Sequence, residues 1–584
     1  MLNCHSTERC FRLSIVGLAC LGAMGLQATL QASFAKAAAP AWFDSTDYTK
    51  LKQRLGSALP TGAGGTVSLA EFSPANGSGS YLVDASQAEF SGGLDPTGSP
   101  MALTDGSNIA HTGFSGHATW SVGQFFFGNT QSAAPGANSV VNYDASNWLS
   151  NVLRISGSAP PEPQPFRVQN HSWISEGTGP QELAALRRYD YLIETGELTA
   201  VVGANNAPNF TSIKAHPTLF AHSYNAIVVG RADGGHSRGQ TTSTYGAGRY
   251  RPDIVGPFTA SSTAAAMVSS AATMLHESGA GTDAVRSEVM KAILMAGATK
   301  TEFVNWLDQT TGVINPWNRT QTRPLDDVFG AGELNIYNSY LIQLGGKQSA
   351  SISAPVNAVN SFGWDYQDRK SDSAVGDLFY NFEIPEGSTA SDFSILLAWN
   401  AKITDNDQTI NGFSPTESLQ NLNLQLYDST ASFMGSLLDQ SISTVDNVEH
   451  IYLNSLAAGT YTLKVSGAAN WDYGLAWRMT TAFDEPNADF NGDGVVGGSD
   501  FLVWQRNFGT LINAANSDGD ADGDGDVDTD DLNLYKAGVI STPVPPMVAA
   551  IVAAVPEPSA ALLAVVSALS FWRFGRLQRN LALK

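Results

Sequence analysis

Two acidic stretches near the carboxyl end constrain the fold of this chain more than any other feature. They are Asp489–Asp500 and Asp520–Asp531, and in each the side chains at positions 1, 3, 5 and 12 carry oxygen. Glycine occupies position 6 of both, as Gly494 and Gly525, where a short loop must turn sharply. Carboxylates at this density repel one another, so the spacing predicts two loops that each close around a cation.

Calcium is the cation that this spacing predicts, because it binds about six to eight oxygen ligands, among them the backbone carbonyl at position 7. Val496 and Val527, at position 8, are placed to pair and become buried. An acidic disordered linker is the alternative, but it explains neither the repeated spacing nor the repeated glycine. The predicted ligands are Asp489, Asn491, Asp493, Val495 and Asp500 in the first loop, and Asp520, Asp522, Asp524, Asp526, Asp528 and Asp531 in the second.

Residues 484–541 resemble the type I dockerin family. A helix-like segment follows each loop, and position 12 is aspartate (Asp500, Asp531) where an EF-hand usually has glutamate. The resemblance implies a small α-helical module that needs calcium to fold and that binds a cohesin-like partner. A calcium-stiffened spacer is the other role that it allows.

The amino-terminal residues 1–38 are typical of a signal peptide, since a basic start precedes the apolar run Leu13–Leu26 and small residues follow. The cysteines of the chain are Cys4, Cys10 and Cys20. Cleavage would therefore leave a mature protein without disulfides or a cysteine nucleophile. The net charge of −22, from 32 basic and 54 acidic residues, argues against nucleic acid as a partner.

The carboxyl-terminal residues 542–584 carry a second export feature. A proline-rich linker leads to Val555–Ser559, then to the apolar stretch Ala560–Trp572 and a basic tail. The order of these parts resembles the PEP-CTERM sorting signal of certain bacteria. The resemblance implies a short transmembrane segment and an exported protein, extracellular or at the cell surface, that is anchored in the membrane before processing. A plain tail anchor is the alternative.

Between these ends, two patterns of hydrophobic periodicity predict two folded regions. In residues 39–346, strand-like apolar runs alternate with helix-like segments, which predicts an α/β domain with a mainly parallel sheet. In residues 347–483 the period becomes two, which predicts an antiparallel β-sandwich of the jelly-roll kind. The predicted elements of the first region include strands at 67–70, 198–203 and 226–230, and helices at 181–194, 261–277 and 282–296.

Three polar positions in the first region are candidates for hydrolytic chemistry. Ser262 lies among small residues at the start of a predicted apolar helix, where a nucleophile meets the positive end of the helix dipole. His117 has a similar small-residue collar and is the candidate general base. Asn205 or Asn206 ends an apolar strand and is the candidate oxyanion amide. Each feature alone also occurs as an ordinary helix start, structural histidine or turn.

Several motifs in the same order resemble the subtilisin-like serine peptidase family over residues 60–340. The resemblance implies helices on both faces of the sheet and a Ser-His-acid triad. Trp120, Ala260 and Ala266 depart from the family pattern but remove no catalytic atom. The matching segments are His117–Gly123, Ala134–Ala137, Asn170–Ile174, Gly203–Asn206, Pro252–Pro257 and Ala260–Val268.

The acid of the triad is the weakest part of this resemblance. The family places an aspartate before Thr-Gly or Ser-Gly after an early strand, whereas the strand at 67–70 ends in Glu71. Glu71 is predicted to orient His117 through the same carboxylate chemistry. Asp84 is the alternative.

Together these features predict an exported, surface-directed serine endopeptidase that cleaves polypeptides and carries a calcium-binding module for assembly or anchoring. A non-catalytic surface or adhesion protein that retains the peptidase scaffold is the alternative, since a fold can persist after its chemistry is lost. A carbohydrate-degrading enzyme lacks support, because no paired-carboxylate arrangement can be identified.

Overall fold

The computed structural model describes residues 40–73, 80–91, 101–177, 179–207, 216, 219–242, 245–309, 311–369, 376–407, 409, 412–468 and 470–541. The predicted signal peptide and the predicted sorting segment lie outside these residues. Within the described ranges, the helices are all too short or too polar to span a membrane.

Helices are spread along the whole described chain. They are α1 Ala41–Ser45, α2 Tyr48–Leu55, α3 Ala88–Ser91, α4 Gln124–Phe126, α5 Ala145–Asn147, α6 Gly179–Gly196, α7 Ser261–Ser278, α8 Ser287–Gly297, α9 Ile336–Leu344, α10 Gly498–Asn507 and α11 Thr529–Ser541. Short segments of π-helix occur at His117–Gly123 and Trp148–Val152.

The strands of the described residues are numbered in chain order. The first nine are β1 Thr66–Glu71, β2 Ala102–Asp105, β3 Ser139–Asp144, β4 Val168–His171, β5 Thr199–Gly203, β6 Ile227–Arg231, β7 Gly239–Gln240, β8 Tyr250–Arg251 and β9 Ile254–Gly256. The others are β10 Leu307–Asp308, β11 Val313–Ile314, β12 Phe362–Gln367, β13 Leu378–Ile384, β14 Ser388–Ala398, β15 Lys402–Asp405, β16 Pro415–Ser418, β17 Asn423–Asp428, β18 Ser436–Ser441, β19 Val448–Leu456, β20 Gly459–Ser466 and β21 Tyr473–Phe483.

A seven-stranded sheet organises the first half of the chain, in the order β2-β3-β1-β4-β5-β6-β9. Its neighbouring strands all pair in parallel. Residues Thr199–Gly203 of β5 are all buried, as expected of a central strand covered on both faces. The predicted α/β architecture with a parallel sheet is therefore confirmed.

Different helices cover the two faces of this sheet. Val201 of β5 packs in the core that contains α7, whereas its neighbours Ala200 and Val202 pack in the core that contains α6. This division follows from the alternation of side chains along a strand. Gly256 of β9 lets α7 approach closely, because a Cβ atom there would lie 2.9 Å from Cβ of Ala264.

The helix predicted over 282–296 begins later than expected. The Thr282 hydroxyl accepts a hydrogen bond from the backbone N–H of Ala284 at 3.2 Å and caps a short 3₁₀ turn. Arg286 is then extended, and α8 begins at Ser287. A side chain that bonds the nearby backbone in this way competes with continuous helix.

Two four-stranded antiparallel sheets form the second region, as predicted. Their strand orders are β12-β21-β14-β19 and β13-β20-β17-β18. In β13 the buried residues Leu378, Tyr380, Phe382 and Ile384 alternate with Phe379, Asn381 and Glu383, which are less buried. The buried set packs against side chains of the other sheet in one core.

The β-sandwich packs directly on the parallel-sheet region. Leu396 of β14 and Ala476 of β21 belong to the same hydrophobic core as α7 and α8. Arg478 of β21 is buried, and its guanidinium donates to the carbonyl oxygens of Ala296 at 3.0 Å and Ala298 at 3.1 Å. Asp392 balances the charge of Arg478 through an ion pair.

The last described elements are α10 and α11, which each follow one acidic loop. A small core joins them, in which Phe490, Trp504 and Val527 are buried. Val496 is partly buried against the same core. The pattern that predicted burial at position 8 is thus met fully in the second loop and partly in the first.

Candidate active site and acidic loops

A short polar contact at the carboxyl edge of the parallel sheet joins Glu71 and His117. Glu71 ends β1, and its Oε2 lies 2.6 Å from Nδ1 of His117, at the start of the π-helical segment. The Glu71 side chain is 6% exposed and that of His117 is 42% exposed. The hydrogen bond to Glu71 raises the pKa of His117, although burial opposes the shift. With Nδ1 donating to the carboxylate, Nε2 is left as the nitrogen that can accept a proton.

The alternative acid, Asp84, has other partners. Its Oδ1 accepts from the backbone N–H of Ser86 at 3.1 Å, and its Oδ2 accepts from the side-chain amide of Gln87 at 2.5 Å. Hydrogen bonds from Ser86 and Gln87 lower the pKa of Asp84. The structure thus places Glu71, rather than Asp84, against His117.

Ser262 lies in the first turn of α7, at the same edge of the sheet. Strands β1 and β4 pair with Ala70 opposite His171, so Glu71 and Ser172 follow at neighbouring positions. The carbonyl oxygen of Ser172 accepts a hydrogen bond from Oγ of Ser262 at 3.3 Å. Ser262 is therefore held beside the end of β4, one strand away from Glu71.

A second contact ties the start of α7 to the segment that carries His117. Oγ1 of Thr263 donates to the carbonyl oxygen of Ser121 at 2.9 Å. Ser121 belongs to the same π-helical segment, His117–Gly123. The end of β1, the histidine segment and the start of α7 therefore converge.

The two candidate oxyanion amides follow β5 and have different contacts. Ser237 holds the backbone of Asn205: its N–H donates to the Asn205 carbonyl at 2.7 Å, and its Oγ accepts from the Asn205 N–H at 3.1 Å. Oδ1 of Asn206 accepts from the backbone N–H of Ser261 at 2.9 Å. That bond fixes the amide orientation and leaves Nδ2 of Asn206 as a donor beside the start of α7. The geometry therefore favours Asn206 over Asn205 as the candidate donor to the oxyanion.

Four exposed apolar side chains lie within four residues of these polar groups along the chain, and the sequence patterns did not predict their exposure. Within the described residues before Val304, the large hydrophobic side chains that remain exposed are Phe114, Trp120, Ile174 and Phe258. Phe114 and Trp120 flank His117 by three residues, Ile174 follows Ser172 by two, and Phe258 precedes Ser262 by four. We call these four residues the apolar rim. Exposed apolar side chains at one location are typical of a binding surface.

The first and last acids of the two acidic loops accept similar hydrogen bonds, although the last acid accepts from the N–H at position 3 in the first loop and at position 2 in the second. In the first, Asp489 accepts from the N–H groups of Gly492 at 2.9 Å and Gly494 at 2.7 Å, and Asp500 accepts from those of Asn491 at 3.1 Å and Gly497 at 2.8 Å. In the second, Asp520 accepts from Gly523 at 2.6 Å and Gly525 at 3.0 Å, and Asp531 accepts from Ala521 at 2.7 Å and Asp528 at 2.6 Å. In both loops, backbone N–H groups of the loop thus hold the carboxylates of the first and last aspartates.

Carboxylate oxygens crowd together in the second loop. One oxygen from each of Asp520, Asp522 and Asp524 lies within 4.8 Å of the others. Burial and the neighbouring carboxylates raise the pKa of Asp520 and Asp524 to about 7, and that of Asp531 to about 6. These shifts measure how strongly the loop disfavours uncompensated negative charge.

Asp528, a predicted side-chain ligand, has other partners. Its Oδ2 accepts from Nη1 of Arg54 at 2.9 Å, and its Oδ1 accepts from the backbone N–H of Asp530 at 2.7 Å. Oδ2 of Asp526 also accepts from Arg54, at 3.1 Å. Arg54 therefore engages the carboxylates of both Asp526 and Asp528, and one oxygen from each of Asp526, Asp528 and Asp531 also lies within 4.8 Å of the others.

The chain matches no protein-family model and no curated protein at a significant level. Among solved structures it is similar to the serine protease MycP1 of the type VII (ESX-1) secretion system, with 14% identity over 52% of this chain and 88% of that one, at a TM-score of 0.30. Tripeptidyl peptidase 2 gives 10% identity over 63% and 40%, at a TM-score of 0.22. The pre-peptidase C-terminal domain of a Bacillus anthracis collagenase gives 12% identity over 21% and 90%, at a TM-score of 0.14. These likenesses are low, and the residues of the site carry the functional interpretation.

Proposed function

We propose that the protein is an exported serine endopeptidase of the subtilisin-like kind. Ser262 attacks the peptide carbonyl, His117 takes the hydroxyl proton and later returns it to the leaving amine, and Glu71 orients the imidazole. The observation that carries the proposal is the 2.6 Å contact between Glu71 Oε2 and His117 Nδ1 at the edge of the sheet where α7 begins. A buried carboxylate that holds a half-exposed imidazole is the arrangement that general-base catalysis needs.

The oxyanion of the tetrahedral intermediate would form at the start of α7. Nδ2 of Asn206 and the backbone N–H of Ser262 are the donors that we assign to it. The amino end of α7 adds the positive pole of the helix dipole. The small side chain of Ala260, just before α7, leaves room for the substrate to approach.

The substrate that we propose is a polypeptide with large apolar side chains near the cleaved bond. The apolar rim supports this, since its four side chains are between 36% and 54% exposed and flank the catalytic groups. Burial of one such side chain against substrate contributes about 1.5–3 kcal/mol.

A non-catalytic surface protein with the same scaffold is the second candidate. One observation favours it: Oγ of Ser262 donates to the carbonyl oxygen of Ser172 instead of to an imidazole nitrogen. At 3.3 Å that bond is weak, and a rotation about χ1 of Ser262 would release the hydroxyl.

A serine-directed fluorophosphonate probe tests the triad. We expect it to label the wild type and the Ser150→Ala variant, in which an exposed serine is removed, but not Ser262→Ala. Circular dichroism shows whether all three proteins are folded. A folded wild type that resists labelling in calcium-containing buffer would contradict the peptidase assignment and favour the non-catalytic candidate.

We also propose that each acidic loop binds one calcium ion. Asp489, Asn491, Asp493 and Asp500 supply side-chain oxygens in the first loop, and Asp520, Asp522, Asp524 and Asp531 supply them in the second. The second loop supports this, because a divalent cation would compensate the carboxylates whose pKa values are raised by burial and, to a smaller extent, by neighbouring carboxylates. Val495 and Asp526 would add backbone carbonyls.

The dockerin-like module would then serve assembly or anchoring on the cell surface. A cohesin-like partner is the proposed ligand, and the exposed Leu502 and Phe508 of α10 and its end support an apolar contact. Export and anchoring would be directed by residues 1–38 and 542–584.

Calorimetric titration of the full chain with calcium tests the loops. We expect two ions per chain, one ion for Asp489→Ala, and two ions for the control Asp530→Ala, whose exposed carboxylate lies outside the ligand positions. Absence of calcium binding by the folded wild type at millimolar concentration would show this part of the proposal to be wrong.

A further inference from the structure

The two acidic loops lie in different surroundings. In the first loop, residues 491–495 are all exposed, and Val495 at position 7 is 55% exposed. In the second loop, Asp520, Ala521, Gly523 and Val527 are buried, and Asp526, the counterpart of Val495, is 6% exposed. The two loops have similar internal hydrogen bonds and therefore differ mainly in what surrounds them.

Arg54 of α2 accounts for much of this difference. Its Nη1 contacts Oδ2 of both Asp526 and Asp528, and its Nη2 donates to the carbonyl oxygen of Thr510 at 2.9 Å. The side-chain exposures are 12% for Arg54, 9% for Asp526 and 21% for Asp528. This is a largely desolvated charge cluster between the parallel-sheet region and a loop more than 450 residues later. Its charge-assisted hydrogen bonds are stronger than those between neutral groups, and removing one partner would leave buried charge uncompensated.

The backbone of the second loop is held from the side of the β-sandwich. The N–H of Phe483, at the end of β21, donates to the Asp522 carbonyl at 2.6 Å. Oγ1 of Thr481 donates to the Gly523 carbonyl at 2.7 Å. A Cβ atom on Gly523 would lie 2.6 Å from the nitrogen of Phe483, so the loop fits closely against the strand.

The segment between the two loops completes the contact. Leu511 and Ile512 are partly buried against the main hydrophobic core, which includes Tyr337 and Leu341 of α9. The second loop and the segment before it are therefore held by three sets of contacts. These come from Arg54, from the end of β21, and from the packing of Leu511 and Ile512. Among the described residues, the first loop makes no hydrogen bond to the parallel-sheet region or to the β-sandwich, since the hydrogen bonds of Asp489–Asp500 stay inside residues 487–507.

We infer that the second calcium loop is an intramolecular clamp, which couples calcium binding to the docking of the carboxyl-terminal module on the peptidase region through Arg54. The first loop is then the open, exchangeable calcium site. The inference rests on the proposed binding of calcium by both loops.

The coupling follows from the shape of the loop. Calcium would stabilise the closed loop, and only the closed loop presents Asp526 and Asp528 together to Arg54. Arg54 and the ion repel each other, but the two carboxylates between them offset that repulsion. Ligand and contact therefore favour the same conformation, so each strengthens the other by thermodynamic linkage.

Hydrogen exchange of the full-length protein tests the clamp. With calcium present, we expect the amides of α2, α10 and α11 to be protected, and we expect EDTA to accelerate exchange in all three. Arg54→Gln in calcium should accelerate exchange in α2 while α10 and α11 stay protected. Arg506→Gln, which removes an exposed arginine of α10, is the matched control and should behave as wild type.

The outcomes separate the clamp from the calcium proposal. Faster exchange in α10 and α11 under EDTA with no change in α2 would overturn the clamp and keep calcium binding. No change in any of the three helices would overturn both.

Terbium luminescence gives an independent reading of the second loop. Nε1 of Trp504 donates to the carbonyl oxygen of Asp528 at 2.7 Å, so excitation of this indole should sensitise a Tb³⁺ ion bound there. We expect Trp504→Phe to remove that signal. Arg54→Gln should weaken binding about fivefold or more, the lower range of typical allosteric coupling. Unchanged Tb³⁺ affinity in Arg54→Gln would contradict the coupling.

Discussion

At the scale of single residues, the candidate site depends on a carboxylate one methylene longer than aspartate. Glu71 ends a buried strand and still reaches Nδ1 of His117 at 2.6 Å. Phe72 donates its backbone N–H to the other carboxylate oxygen at 3.0 Å, which fixes the orientation of the group. A carboxylate held in this way selects one imidazole tautomer and stabilises the imidazolium that forms during proton transfer.

Replacing Glu71 with glutamine should therefore lower kcat by about 10³–10⁴-fold, because the tautomer and the imidazolium both lose their support. Activity requires neutral His117, so it falls as the pH drops through the pKa of that group. Since Glu71 raises this pKa, the acid limb of kcat/KM should move to lower pH in Glu71→Gln. Asp84→Asn is the control. A comparable loss of kcat in that variant would show that Glu71 is not the acid of the triad.

The oxyanion amide makes a second prediction at this scale. Asn206→Ala should lower kcat by about 10²–10³-fold with little change in KM, since its amide would act only on the transition state. Asn205→Ala should have the smaller effect, because Ser237 holds the backbone and not the side chain of Asn205. Steady-state kinetics on one peptide substrate compares the two variants. A larger loss in Asn205→Ala would reverse the assignment.

At the scale of elements, the site exists because three segments end or begin at one edge of the sheet. These are β1, the π-helical segment at His117–Gly123, and α7. The polar groups come from the segment ends, and the apolar rim comes from residues a few positions away on the same segments. The same backbone segments therefore position both the polar groups of the candidate site and the side chains of the apolar rim.

Truncating a side chain of the apolar rim should therefore change substrate binding, measured by KM, more than the chemical step, measured by kcat. In Trp120→Ala and Phe258→Ala we expect KM for peptides with large apolar side chains to rise about tenfold, from the lost burial of one such contact, with kcat nearly unchanged. Phe433→Ala removes an aromatic ring that is 44% exposed on the β-sandwich and is the matched control. Mass-spectrometric profiling of cleavage sites should show a weaker apolar preference in the two rim variants alone.

Element periodicity predicted the parallel sheet and the sandwich, because burial repeats locally along each strand and helix. Strand β5 and helix α7 have nearly the bounds expected from their apolar runs. The late start of α8 was not predicted, since it depends on a side-chain cap at Thr282 inside an otherwise helical pattern. Trp120 had been noted only as a departure from a family motif, and its exposure beside His117 needs the fold to be seen.

At the scale of the whole molecule, the regions are joined by buried polar contacts. Arg478 of the sandwich donates to the end of α8 and the residue after it, and Asn447 donates to the carbonyl oxygen of Tyr224 at 2.8 Å. Asn225 and Ala401 exchange hydrogen bonds at 2.8 Å and 3.0 Å. The sandwich therefore supports the parallel sheet from the side of α8.

Removing Arg478 should test this support. Arg478→Ala leaves Asp392 and two carbonyl groups without their donor, so we expect a loss of about 3–5 kcal/mol in the free energy of unfolding. Lys464→Ala, which removes a cation at the sandwich surface, should cost less than about 1 kcal/mol. Urea unfolding, followed by tryptophan fluorescence, compares the two. A loss in Arg478→Ala as small as that in Lys464→Ala would mean that the contacts of Arg478 contribute little to the stability of the interface.

The sequence by itself determined the features that depend on neighbours along the chain: the spacing of the acidic loops, the class of each sheet, and the small-residue start of α7. Only the tertiary structure decided which acid meets His117, which asparagine faces α7, and that Asp528 pairs with Arg54. The physical reason is that these contacts join residues far apart in the chain, where no local period or spacing reports on distance. The acidic loops illustrate both cases, since their two sequences predict the same kind of site, whereas the fold leaves the first loop exposed and buries much of the second.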